Sequence, residues 1–182
     1  MKLAPSLIAL VLAISHVTMA SAQELRFDVP QPEHELLQRL AGEWTFERRS
    51  VPGEGAEPET LGAGTISAEM IGDFFLVSRS SGNVYGWDYQ AHQSLGYDIK
   101  GKEFTGEWID SFISYRWVLG GLVDEESGEL TLTTSGPGPT GGTMTFRERY
   151  RFDSDDSITI IGEIQQGERW VAFTSTRLTR RR

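Results

Sequence analysis

The amino-acid sequence predicts an all-β fold, an up-and-down antiparallel barrel of about ten strands with a short N-terminal capping helix. Three observations carry that expectation. Hydrophobic residues alternate with polar ones at period two over most of the chain, as half-buried strands require. Turn-forming clusters separate those runs at short intervals, so consecutive strands join as hairpins. Only one segment has helical spacing, which leaves no crossover helices for a parallel sheet. A long meander buries its edges by closing on itself, and a sandwich of two sheets is the alternative.

The first segment stands apart from that pattern. Lys2 opens a short positive stretch, residues 7–14 are apolar, and Ala20-Ser21-Ala22 offers the small residues a signal peptidase accepts. Residues 1–22 therefore read as a signal peptide with cleavage after Ala22, and 23–182 as a single exported domain, periplasmic or secreted. The apolar run is much shorter than the roughly 20 residues of a membrane-spanning helix, so no membrane anchor is expected.

Residues 32–42 read as the helix. Pro32 suits a first turn, Glu33 and Glu35 lie at its positive end, Arg39 lies near its negative end, and Gly42 stops it. Leu36, Leu37 and Leu40 make one apolar edge, which must cover something because two turns cannot stand alone. From there the period is two: Trp44 and Phe46; Ile66, Ala68 and Met70; Ile113, Tyr115, Trp117 and Leu119; Leu130 and Leu132; Met144, Phe146, Tyr150 and Phe152; Ile158 and Ile160. Turn signals include Pro52-Gly53-Glu54-Gly55, Ile71-Gly72-Asp73, Ser81-Gly82-Asn83, Lys100-Gly101-Lys102 and Gln166-Gly167.

Composition narrows the functions. With 17 Lys and Arg against 26 Asp and Glu, the net charge of −9 argues against binding nucleic acid or an anionic membrane. The absence of cysteine excludes a disulfide framework, a thiolate nucleophile, an iron–sulfur cluster and a cysteine zinc site. Neither H-E-x-x-H nor G-x-S-x-G occurs. No metal and no cofactor is implied.

Leu40-Ala41-Gly42-Glu43-Trp44 places a G-x-W between helix and first strand. This resembles lipocalins and other calycin barrels, where the tryptophan plugs one barrel end and a late arginine packs over it. The resemblance gives Trp44 and Arg177 those structural roles. Pro32-Glu33-His34-Glu35-Leu36-Leu37, Gly96-Tyr97-Asp98, Phe104-Thr105-Gly106-Glu107-Trp108-Ile109-Asp110-Ser111 and Leu130-Thr131-Leu132-Thr133 follow in order with that motif. Together they resemble the bacterial family called domain of unknown function 1579. That resemblance implies a calycin-like barrel and brings no catalytic residues.

Glu148 lies in phase with Phe146 and Tyr150, so its carboxylate is expected to face the apolar side. An unpaired interior carboxylate is costly. It is either an anchor in a ligand cavity, half of an internal ion pair with Arg116, or exposed by a one-residue slip. Asp110-Ser111 ends a strand beside Trp108, holding either a polar ligand group or a tight turn. The candidate ligand-binding residues are Trp108, Asp110, Tyr115, Arg116, Glu148 and Tyr150. The interior aromatics among them either line a pocket or fill the barrel. His34 is expected to face solvent and His92 to sit in a loop; some calycin-like barrels hold haem through one histidine, which makes His92 the formal alternative. The leading function is an exported barrel holding a small apolar or amphipathic molecule. An enzyme using Glu148 or Asp110 as acid–base group is the second, and a filled barrel acting as a structural or protein-interaction module the third.

Overall fold

The computed structural model describes residues 27–139 and 141–182; the segment read as a signal peptide lies outside them. One helix, α1 (Pro32–Leu40), precedes ten strands: β1 (Gly42–Ser50), β2 (Thr60–Ile71), β3 (Phe75–Val84), β4 (Trp87–Asp98), β5 (Glu103–Asp110), β6 (Trp117–Val123), β7 (Leu130–Pro137), β8 (Thr143–Ser154), β9 (Ser157–Gln166) and β10 (Arg169–Arg180). Each strand pairs antiparallel with its sequence neighbour, and β1 pairs with β10 to close the barrel. Closure leaves no free sheet edge, which settles the choice between barrel and sandwich.

Alternation places the core. Trp44 and Phe46 point inward from β1, Leu95 from β4, Phe104 from β5, Leu130 and Leu132 from β7, and Ile158 from β9, all buried. The helix packs over β2, β3 and β4 at the end where β1 begins, burying Leu37 and Leu40. His34 is buried there as well, correcting the expectation of a solvent-facing ring. Its Nδ1 accepts the Gln31 N–H at 2.9 Å, capping the helix, and the ring meets Phe74 and Tyr97 edge-on. The helix start thus uses the histidine as part of its cap, which draws it inside.

Three local expectations are corrected. Ser81-Gly82-Asn83 is not a turn: β3 runs to Val84 and turns at Tyr85-Gly86. Gly82 lies opposite Gly64, and a side-chain carbon at Gly82 would come within 2.7 Å of the Gly64 Cα. The glycine serves close strand approach rather than a turn. Residues 111–116 form a loop, so only Trp117 and Leu119 of the expected Ile113–Leu119 run are in a strand. Asp110 Oδ1 accepts the Phe112 and Ile113 N–H groups, competing with a ladder there. The stretch around His92 belongs to β4 rather than to a loop, with Tyr89, Ala91, Gln93 and Leu95 buried. His92 alternates with them and faces outward.

The outer wall carries its own charge cluster. Glu163 accepts hydrogen bonds from Arg147 and Arg149 Nε, and Arg149 also bonds Glu129 at 2.7 Å. Burial raises the Glu163 pKa, but the two arginine hydrogen bonds and charges outweigh it and hold it below the ordinary value. A depressed folded pKa means that this stabilisation is complete above the unfolded glutamate range, about pH 4.3, and fades as pH falls through the folded value. Glu163→Gln should therefore flatten the fall in thermal midpoint below about pH 4.3. An unchanged slope would contradict the cluster.

Candidate functional site

Inside the barrel lies a cavity of about 60 Å³. An apolar cavity of about 150 Å³ accepts benzene, and drug-sized ligands need about 300–1,000 Å³. This one therefore has room for a small polar group or a few waters, and a larger molecule would have to extend out of it.

Part of its wall is apolar, with Trp44, Phe46, Ile66, Ala68, Leu76 and Leu178. The rest is polar. Arg48, Tyr89, Gln93, Glu148 and Tyr150 face it, with Ser78, Ser80 and Thr176 between them. Gln93 Nε2 donates to the Tyr150 hydroxyl at 3.4 Å, and that hydroxyl donates to Glu148 Oε2 at 2.9 Å. Arg48 Nε donates to Thr176 Oγ1 at 3.2 Å. Burial raises the Tyr150 pKa well above its usual value, with the Glu148 charge adding to it. Burial also raises that of Tyr89, while Arg48 pulls against the shift and Asp110 and Glu148 add to it. Both phenols therefore stay protonated near neutral pH; the Tyr150 hydroxyl donates to Glu148, while that of Tyr89 accepts from Arg48.

The uncapped end is ringed by aromatics. Tyr85 and Tyr89 both approach Phe112. Tyr115 meets Trp117, Trp117 meets Phe146, and Phe146 meets Phe173, at centroid distances of 4.9, 5.5 and 6.4 Å. Phe112, Tyr115 and Phe173 are exposed by about two-fifths, at 41%, 39% and 41%, so the rim is apolar and open to solvent. Gly136 makes room for it, because a side-chain carbon there would collide with the Trp117 and Tyr115 rings.

Of the residues singled out from sequence, Trp108, Glu148 and Tyr150 line the cavity. Asp110 sits at the rim with its oxygens engaged: Oδ2 accepts the Trp108 indole N–H at 3.1 Å, and Oδ1 holds the loop. Among the described residues it does not hydrogen bond to Glu148. Tyr115 and Arg116 lie exposed in the 111–116 loop. Tyr115 donates to the Ser135 carbonyl at 3.2 Å. Arg116 pairs with Glu107 at 3.0 Å and not with Glu148, which removes the ion-pair alternative for that carboxylate: Arg116 alternates with Tyr115 and Trp117 and so faces away from the interior. Arg177 is also corrected. It faces outward, and Arg180, which lies opposite Trp44 across the β1–β10 seam, packs over the Trp44 ring at 4.0 Å.

Sequence reasoning missed Arg48 and Gln93. Both signals were present: Arg48 is in phase with Trp44 and Phe46, and Gln93 with Tyr89, Ala91 and Leu95. A polar side chain in the inward phase of a strand is the sign that served for Glu148 and applies equally to these two.

The fold and cavity define a closed, ten-stranded calycin-like barrel. A family model described as "Protein of unknown function (DUF1579)" matches residues 29–180, and the chain belongs to that family. No curated protein matches it. Among solved structures it is similar to Rv2717c from M. tuberculosis, with 16% identity, a TM-score of 0.58, and coverage of 84% of this chain and 99% of that one. It is similar too to the S-type phycobiliprotein lyase CPES from Guillardia theta, with 16% identity, a TM-score of 0.57, and coverage of 82% and 93%. At such identities the likeness is one of fold.

Glu148→Gln should alter stability by less than about 1 kcal/mol in urea unfolding, because glutamine still offers Tyr150 an acceptor. A loss of about 3–5 kcal/mol would instead mean a broken buried ion pair.

Proposed function

We propose that the protein is an exported binder of a small amphipathic molecule. The polar end of that molecule sits in the cavity, and its apolar body rests among the rim aromatics. The observation that carries this reading is one cavity holding both Arg48 and Glu148 beneath an exposed aromatic rim. Arg48 and Glu148 are half-buried, and turning an ionisable group inward costs stability unless it is paired or solvated, so a barrel built only to be filled would place apolar side chains there. Export rests on the signal-peptide pattern of residues 1–22.

Native mass spectrometry of protein purified gently from the export compartment, compared with its denatured mass, tests both parts. The reading expects the mass of residues 23–182 plus a reproducible increment lost on denaturation. A chain retaining residues 1–22 would contradict export, and a bare mass from every preparation would contradict a resident ligand. One observation favours the interaction-module reading: Ile109, Val118 and Leu122 are exposed on the outer wall of β5 and β6. Co-purification of one stoichiometric protein with the bare barrel would support it.

A further inference from the structure

The two charged groups of the cavity differ from an ordinary ion pair. Arg48 donates through Nε to Thr176 and hydrogen bonds the Tyr89 hydroxyl, and among the described residues no carboxylate lies within 4.0 Å of its guanidinium. Its terminal nitrogens therefore have donors to spare. Glu148 accepts the Tyr150 hydroxyl through Oε2, and its Oε1 accepts no hydrogen bond from the described residues. Both side chains face the same space. The space thus presents a donor-rich cation and a carboxylate with a free oxygen that are not in ion-pair contact with each other.

The charge balance of that space selects its occupant. Arg48 and Glu148 cancel, so an uncharged guest leaves the interior neutral. A carboxylate guest would meet Arg48 but face Glu148 and bury a net negative charge. An ammonium guest would do the reverse. Arg48 and Glu148 are half-buried and reach water while the space is empty, but once a guest displaces that water a net charge is penalised far more heavily than a neutral polar group whose hydrogen bonds are satisfied. A neutral group with an acceptor on one side and a donor on the other satisfies both residues at once.

We infer that the polar end of the ligand is an uncharged, two-sided group of the carboxamide or lactam type, whose carbonyl takes hydrogen bonds from Arg48 and whose N–H donates to Glu148. This rests on the binding reading above and names the chemistry it selects. Only a compact head group fits about 60 Å³, so the apolar body extends out of the cavity toward the rim rings of Trp117, Phe146 and Phe173.

Three probes with one body and different heads test it: 2-naphthamide, 2-naphthoate and 2-naphthylmethylammonium, titrated calorimetrically at pH 7. Wild type should bind the amide about tenfold more tightly than either charged probe. Glu148→Gln leaves Arg48 alone and should turn the preference to naphthoate. Arg48→Gln leaves Glu148 alone and should turn it to the ammonium probe. The double variant Arg48→Gln/Glu148→Gln should lose the discrimination while still binding the amide, which shows that it is folded and its rim intact. If the wild type binds all three probes equally, or if the single variants leave the order unchanged, binding stands and this assignment falls. If no probe binds the wild type, the binding reading falls and takes the assignment with it.

Discussion

Replacing Trp44 by alanine should cost about 3–5 kcal/mol of folding stability, the range for emptying the site of a fully buried tryptophan. Trp44 is 1% exposed, closes the helix-capped end of the barrel, and donates its indole N–H to the Leu40 carbonyl at 2.9 Å. The loss therefore has two parts. A void opens at the foot of the cavity, and a carbonyl at the end of the helix loses its partner. Trp44→Phe keeps most of the ring and gives up the hydrogen bond, so about 1–2 kcal/mol is expected there. Urea unfolding of the two variants separates the parts. A loss below about 1 kcal/mol for alanine would mean that the ring is not the plug.

Removing Arg180 should be the next most damaging change. Its guanidinium lies 4.0 Å over the Trp44 ring and donates to the carbonyls of Ala41 at 2.7 Å, Arg39 at 2.9 Å and Asp155 at 2.9 Å. It thereby ties the helix end and the β8–β9 turn to the barrel. Gly42, at φ +124°, leaves the space that the guanidinium occupies. Arg180→Ala should cost about 2–3 kcal/mol, from the cation–π contact and the orphaned carbonyls. Arg177→Ala should change stability by no more than about 0.5 kcal/mol, because its side chain is exposed on the outer wall. Equal losses in the two variants would contradict the β1–β10 register.

That pair also shows where the sequence stops speaking. Strand periodicity is local, so the order of elements, the inward phase of Glu148 and the helix that caps the barrel were all legible from spacing. The partner of Trp44 depends on a pairing between residues 136 positions apart, counted from 44 to 180, and no local pattern encodes that register. Even so, Arg177 alternates with the buried Leu178 and Thr176, which already placed it outside. The 111–116 loop was misread for a different reason. Ile113, Tyr115 and Trp117 keep strand period, but Asp110 captures the backbone N–H groups that a strand would need. The apolar residues of that loop serve the rim rather than the core. His34 was misjudged because its hydrophilic neighbours say nothing of a ring that caps the helix from inside.

The most direct test of the account is to observe where a guest sits. The five tryptophans give indole N–H signals that report on distinct places in the barrel. Trp108 lines the cavity, Trp117 is at the rim against Phe146, and Trp170 lies on the outer wall beneath Arg147. In a nuclear magnetic resonance titration with 2-naphthamide, the Trp108 and Trp117 signals should move together with the Arg48 Nε–H while Trp170 stays fixed. Movement of Trp170 alone, or none at saturating probe, would contradict binding inside the barrel.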